Sequence, residues 1–286
     1  MQKKKILIIF IFLIIILLII FYSKKPATEI PLKIIMLDIG QGDAIYIETP
    51  NGKNMLIDSG RDRTITYELG NIIPAGKKNI DTIEISNPDL DHIGGIPFVM
   101  EKYSISQILS PGTNHDSLDS YKEIEKIAKD KKIPIIRAKQ GTIFVLDSIN
   151  NVTYKILWPE NNVRNWEANA SSMIGLLEYN GHKVLLTGDA PKEVEDQIVS
   201  KYKNELQNID ILKVGHHGSK TSTGGALAML ARPKYALISA GLKNYYGHPH
   251  KETLDILNSV NSKILLTATH GQITCKIWVK KEVECK

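Results

Sequence analysis

Apolar and polar positions are distributed in two different ways along the 286-residue chain. From Ile6 to Tyr22 no side chain is charged or strongly polar, and Ile, Leu and Phe dominate. As a helix this run spans roughly 25 Å, near the lower limit for crossing a bilayer's hydrocarbon core. Lys3, Lys4 and Lys5 precede it, which predicts a cytoplasmic N-terminus and an extracytoplasmic remainder. Lys24 and Lys25 on the far side pull against that orientation. A cleaved signal peptide, leaving a secreted protein, is the rival reading. The run is longer than a usual signal core, and Tyr22-Ser23-Lys24-Lys25-Pro26 offers no small-x-small cleavage site, so a single-pass anchor is favoured.

Past this run the period changes. Short apolar stretches at Lys33 to Asp38, Ala44 to Glu48, Asn54 to Asp58 and Thr82 to Ser86 predict strands, with Asn51-Gly52 as a hairpin turn. Ser120 and Glu123 form a capping box ahead of Tyr121, Ile124 and Ile127, predicting a helix over Ser120 to Asp130, and Lys132 to Ala138 returns to strand. The second half repeats the scheme. Strands are predicted at Thr142 to Leu146, Thr153 to Trp158, Ile174 to Tyr179 and Lys183 to Thr187, with Asn180-Gly181 joining the last two. A helix opened by Pro191 follows, then strands at Asp210 to Val214 and Tyr235 to Ser239, a helix from about Lys251 and a strand at Lys263 to Thr267. Two hairpin-rich halves, each followed by strand-helix units, predict an α/β fold of two packed sheets with helices outside. The expected organisation is an anchor at 1–25, a linker at 26–32 and one domain at 33–286.

The formal charge of +5 does not change this picture. Five of the 36 basic residues are the lysines flanking the apolar run, and setting them aside leaves 31 against 31 acidic residues. Any grip on phosphates must therefore be local or metal-mediated, since no broad positive field exists. Two cysteines, Cys275 and Cys285, exclude a cysteine-rich zinc module. Gly271 to Lys286 reads as a terminal hairpin, which allows either one cross-strand disulfide or two inert thiols.

The chemistry concentrates at strand ends. Ser86-Asn87-Pro88-Asp89-Leu90-Asp91-His92-Ile93-Gly94-Gly95 places three ligand-type side chains in four positions directly after a predicted strand. Crowded carboxylates repel unless a cation neutralises them, so a metal is the economical explanation; a solvated turn with a capping Asp is the plain one. Leu185-Leu186-Thr187-Gly188-Asp189 and Val214-Gly215-His216-His217-Gly218-Ser219 end two further strands in a lone carboxylate and paired imidazoles. Neutral imidazole is the commonest metal ligand, although either histidine alone could serve a surface loop or a core hydrogen bond. Gly40-Gln41-Gly42-Asp43 is too short for a nucleotide loop and reads as a tight turn beside the site.

The ordered set Asp-x-Asp-His-x-Gly-Gly, Leu-Leu-Thr-Gly-Asp and Val-Gly-His-His-Gly-Ser resembles the metallo-β-lactamase superfamily, and within it the extracellular hydrolase domain of ComEC-type competence proteins. Leu37-Asp38-Ile39-Gly40-Gln41-Gly42-Asp43-Ala44, Leu56-Ile57-Asp58-Ser59-Gly60 and Tyr246-Gly247-His248-Pro249-His250 extend the likeness over about Pro31 to Ile277. The resemblance implies an αββα sandwich with one or two divalent ions, zinc or manganese, at one edge. It assigns Asp91, His92 and His217 to one ion and Asp189 to a bridge, with Asp58 orienting the ligand loop. His216, Ser219, Lys220 and His248 become supporting or substrate-contacting residues. The family usually opens its loop with His-x-His, whereas this chain has Asn87-x-Asp89. Asn87, Asp89 and Asn169 would then form an oxygen-rich first metal position, which suits manganese or magnesium better than zinc.

Metal-activated hydrolysis is the expected chemistry, with Asp91, His92 and Asp189 at its centre. The resemblance implies a phosphodiesterase or nuclease concerned with DNA uptake, acting on single-stranded DNA at the cell surface with Lys213, Lys220 and Lys243 on the phosphates. Two alternatives stand beside it: hydrolysis of another extracellular ester, such as a cell-wall or lipid-headgroup phosphodiester, and a catalytically weak scaffold that kept the fold. Only one membrane segment is found in this sequence, without the channel helices of a full competence protein.

Overall fold

The structure is a computed structural model that describes residues 29–113, 119–160 and 163–286. The Ile6 to Tyr22 run, where an anchor is expected, lies outside them, and among the described residues no helix is long and apolar enough to cross a membrane. The compact unit is Pro31–Lys286.

The first half supplies β1 (Leu32–Met36), β2 (Ile45–Glu48), β3 (Asn54–Ile57), β4 (Asn79–Glu84), β5 (Ser104–Ser110) and β6 (Ile135–Arg137). The second supplies β7 (Ile143–Asp147), β8 (Val152–Trp158), β9 (Ile174–Tyr179), β10 (His182–Leu186), β11 (Ile211–Lys213), β12 (Tyr235–Ile238) and β13 (Lys263–Leu266). The chain then returns to the first sheet with β14 (Ile273–Ile277) and β15 (Glu284–Cys285), giving the order β15-β14-β1-β2-β3-β4-β5-β6 beside β13-β12-β11-β10-β9-β8-β7. In each sheet antiparallel pairs give way to three parallel ones, β3 to β6 and β10 to β13.

Burial explains the layering. Ile34, Met36, Ile45, Ile47, Tyr154, Leu177, Val184 and Leu237 lie between the sheets. The outer face of the first sheet packs Ile35, Leu56 and Ile83 against Leu69, Val99 and Ile124 from the helices Thr64–Ile72, Ile96–Lys102 and Asp119–Lys131. Ile174, Leu185 and Leu212 of the second sheet meet Val194, Ile198, Leu227 and Leu257 from Lys192–Lys201, Gly225–Ala231 and Lys251–Ser259. Alternate strand residues thus face two different apolar layers, which is why the strands read as nearly continuous apolar runs. The result is the expected αββα sandwich.

Some expectations shift. The helix predicted from Ser120 begins at Asp119, so Ser120 occupies its second position and does not cap it. The strand Ser104–Ser110 escapes prediction because three serines and Gln107 interrupt its apolar alternation. At the C-terminus β14 and β15 pair antiparallel, Cys275 lies opposite Cys285, and the two are disulfide-bonded.

Candidate metal centre

Parallel strands deliver their carboxyl ends to one edge of a sheet, where side chains from different strands can meet. Here β3 runs into Asp58, β4 into the loop bearing Asn87, Asp89, Asp91 and His92, β10 into Asp189, β11 into His216 and His217, and β12 into Ser239. The β1–β2 connection adds Asp43. Close backbone approach makes this possible: a Cβ on Gly42 would stand 2.0 Å from the Asp91 carbonyl oxygen, and one on Gly94 2.0 Å from that of Arg61. Asp58, His216 and His217 hold left-handed backbone at φ 59°, 48° and 54°. Each such residue costs of order 1–3 kcal/mol, strain that persists where surrounding structure fixes a functional loop.

The two buried imidazoles are clamped alike. His92 Nδ1 lies 2.8 Å from Asp58 Oδ2, and Asp58 is itself fixed by the Ser86 N–H at 2.8 Å and the Ser86 hydroxyl at 2.5 Å. His217 Nδ1 lies 3.1 Å from the Ser239 carbonyl oxygen and 3.4 Å from Asp43 Oδ1. Carbonyl and carboxylate oxygens accept only, so both Nδ1 atoms donate, and each Nε2 is turned toward a common point. There His92 Nε2 is 3.1 Å from Asp189 Oδ2, and His217 Nε2 is 3.4 Å from both Asp189 Oδ2 and Asp91 Oδ2. Asp91, His92 and His217 each place a donor atom within 4.8 Å of the other two.

These spacings fit a divalent ion. Four ligands about 2.1 Å from a tetrahedral metal stand about 3.4 Å apart. His217 Nε2 is buried without a hydrogen-bond partner, an orphan that coordination would satisfy. The charges agree. Burial opposes it, but Asp189 and Asp58 hold His92 well above the usual imidazole range, and Asp189 with Asp43 does the same for His217. Asp189 is held well below the usual carboxylate range against its burial, by His217, His92 and Lys213, and Asp91 sits at about 2 against its burial, through His217 and His92. The carboxylates thus draw positive charge to this point, and a divalent ion could supply it in place of the imidazole protons.

The other predicted residues lie around this point in distinct ways. Asn87 is fully buried and its amide bonds Asn169 and Ser172. Asp89 starts the short helix Leu90–Ile93, and its carboxylate belongs to no ligand-spaced group of three among the described residues. His216 is partly exposed, with Nε2 3.7 Å from Asp189 Oδ2, and its ring meets that of His248 edge-on at 5.5 Å. Ser219 is buried and its hydroxyl pairs with Thr221 Oγ1, bracing the loop, whereas Lys220 is exposed. Lys220 lines a cleft of about 460 Å³ with Asn169, Asp189, Lys192, His216 and Glu193.

Two side chains differ from expectation. Lys213 contacts no solvent-borne phosphate path: it is buried, donates to the Gly188 carbonyl at 2.7 Å, and pairs with Asp43 and Asp189. An ammonium in an apolar strand must find carboxylates, and these two supply them. Asp43, read as part of a plain turn, instead joins His217, Lys213 and Asp189 in the centre. The overlooked signal is that Asp43, like Asp58 and Asp189, follows a glycine-bearing or strand-end turn beside apolar residues.

Residues 37–242 match the family model of the Metallo-beta-lactamase superfamily. The chain is 31% identical over 259 residues to ComE operon protein 3 of Bacillus subtilis, covering 84% of this chain and 32% of that protein. It is 26% identical over 256 residues to Competence protein ComA of Neisseria gonorrhoeae, covering 88% of this chain and 33% of that one. The match therefore spans about a third of the length of these curated relatives. Among solved structures, the metallo-beta-lactamase fold protein YhfI from Bacillus subtilis superposes with a TM-score of 0.54 at 14% identity, covering 85% of this chain and 99% of that one, a likeness of fold. Family match and ligand-spaced cluster agree: the chain belongs to the metallo-β-lactamase superfamily and is a metal-dependent hydrolase.

Proposed function

We propose that this hydrolase is a phosphodiesterase acting on single-stranded DNA outside the cytoplasm, held to the membrane by its N-terminal apolar run. The convergence of Asp91, His92, Asp189 and His217 carries the reading. A divalent ion there would bring the pKa of water towards neutrality and polarise a phosphoryl oxygen. The chain's own groups do the rest. Asp58, Asp43 and the Ser239 carbonyl keep both imidazoles aimed, and Lys213 fixes one oxygen of Asp189 so that the other faces the cluster. In the adjoining cleft Lys192 and Lys220 can pair with phosphates.

Beside the centre, Tyr245 is 98% exposed and Tyr246 is 60% exposed, with the Tyr246 ring stacked on His248 at 5.6 Å. Exposed aromatic faces next to cationic groups suit unpaired bases. The relatives named for competence support a DNA substrate. A second reading, hydrolysis of a smaller extracytoplasmic phosphodiester, is favoured by Glu167 and Glu193 in the same cleft, which repel a long polyanion.

The test compares the purified full chain on single-stranded DNA and on bis(p-nitrophenyl) phosphate with Mn²⁺ or Zn²⁺. DNA cleavage that falls at least about 100-fold in Asp189→Ala supports the proposal. Cleavage of the small ester alone favours the second reading. A chain that binds no metal and cleaves neither is a scaffold. Protease protection in intact cells reports whether the domain lies outside.

A further inference from the structure

We infer that this chain holds one divalent ion, and that a hydrogen-bonded amide pair has replaced the second metal position. The inference rests on the metal-dependent reading above. Donors for one ion stand together: Asp91, His92 and His217 place ligand atoms within 4.8 Å of one another, and Asp189 Oδ2 lies 3.1 Å from His92 Nε2 and 3.4 Å from His217 Nε2. The other position, by resemblance, would be formed by Asn87, Asp89 and Asn169.

In the structure those amides are committed elsewhere. Asn87 Nδ2 donates to Asn169 Oδ1 at 2.9 Å and to Ser172 Oγ at 3.0 Å, and Asn87 Oδ1 accepts the Asp89 N–H at 2.8 Å. Both hydrogens of the amide are thereby used. The only side-chain atom with which Asn169 could bind a cation is its carbonyl oxygen, and that oxygen faces an N–H donor. Ser172 Oγ also accepts the Asp189 N–H at 3.3 Å, so the network ties the Asn87 loop to the Asp189 loop. An ion entering here would have to break several hydrogen bonds, most of them on buried side chains, and would gain two neutral amide oxygens. Asn87 and Ser172 are both 0% exposed, so their polar groups would lose partners that water does not replace, although Asn169 borders the cleft.

A second, independent feature acts in the same direction. The ammonium of Lys213 lies 3.4 Å from Asp189 Oδ1 and pairs with Asp43. Asp189 is the carboxylate that would bridge two ions, and a fixed positive charge beside it weakens its hold on a second cation. Asp89 alone retains charge at the vacated position, with too few protein ligands to complete a site.

The experiment is metal stoichiometry on the full chain, stripped with chelator and titrated with Mn²⁺ or Zn²⁺, read by native mass spectrometry and by electron paramagnetic resonance of the Mn²⁺ form. One ion per chain, an isolated six-line Mn²⁺ signal, and one ion retained in Asp89→Ala are expected. The Asn87→His/Asn169→His double variant should take up a second ion. Two ions per wild-type chain, a coupled dinuclear signal, or loss of the ion in Asp89→Ala would overturn the inference while leaving the hydrolytic reading intact. No ion in wild type would instead overturn that reading. If the double variant does not fold, the wild-type and Asp89→Ala stoichiometries still decide.

Discussion

Lys213 and Asp43 form an ion pair directly behind the imidazole of His217, with each side chain 2% exposed. The same ammonium reaches Asp189, so one cation compensates two carboxylates from different sheets. Lys213→Met removes the charge and keeps most of the volume, leaving Asp43 and Asp189 buried without it. Breaking a buried pair in this way costs about 3–5 kcal/mol. Denaturant unfolding of the metal-free protein should show a loss of that order. A midpoint equal to wild type would mean that the carboxylates are compensated some other way.

Metal uptake should release protons. Without an ion, burial pulls both His92 and His217 down, but their carboxylates more than offset it and hold each well above the ordinary imidazole range. Binding through Nε2 must displace those protons, so affinity rises with pH through and beyond the ordinary imidazole range. Calorimetry at pH 7.5 in buffers of different ionisation enthalpy should give about two protons released per ion. Near-zero release would show that the imidazoles are already neutral.

The exposed pair Tyr245 and Tyr246 offers a separate handle on substrate. Tyr245→Ala/Tyr246→Ala should weaken binding of single-stranded oligonucleotide by about 10-fold or more, at roughly 1–3 kcal/mol per stacked base. Turnover of bis(p-nitrophenyl) phosphate, which has no base to stack, should change little. Equal losses on both substrates would tie the tyrosines to loop geometry instead.

Glu195 predicts a pH dependence of stability. It is fully buried in the helix Lys192–Lys201, and its two oxygens accept the Thr223 and Gly224 N–H groups at 2.7 Å each. Burial pushes its carboxyl up to about 7 despite those bonds. A folded-state value above the unfolded one means stability that is full below the unfolded pKa and lost as pH rises towards 7, by roughly 3 kcal/mol at most. Glu195→Gln should therefore gain on wild type in thermal melts as pH is raised from 5 to 8. A constant offset between the two would show that Glu195 titrates normally.

Much of the centre was legible because burial and polarity conflict along the chain. Asp58, Asp189 and His217 each stand at the end of an apolar run, where only a ligand, partner or cap justifies a polar side chain. Lys213 carries the same conflict, yet its partners Asp43 and Asp189 lie 170 and 24 positions away, and nothing local names them. Asp43 was hidden because Gly40-Gln41-Gly42 satisfies the pattern of a turn by itself. The Asn87–Asn169 contact illustrates the limit best: amides can ligate or hydrogen-bond, and only the fold shows which.

Leu32 opposes Ile277 in the ladder between β1 and β14, and Lys286 exchanges backbone hydrogen bonds with Thr274 of that same strand. β15 is the outermost strand of this sheet, and the Cys275–Cys285 bond fixes it covalently to β14. A two-residue edge strand tied in this way cannot peel away to offer its neighbour's open backbone to another chain while the bond is intact.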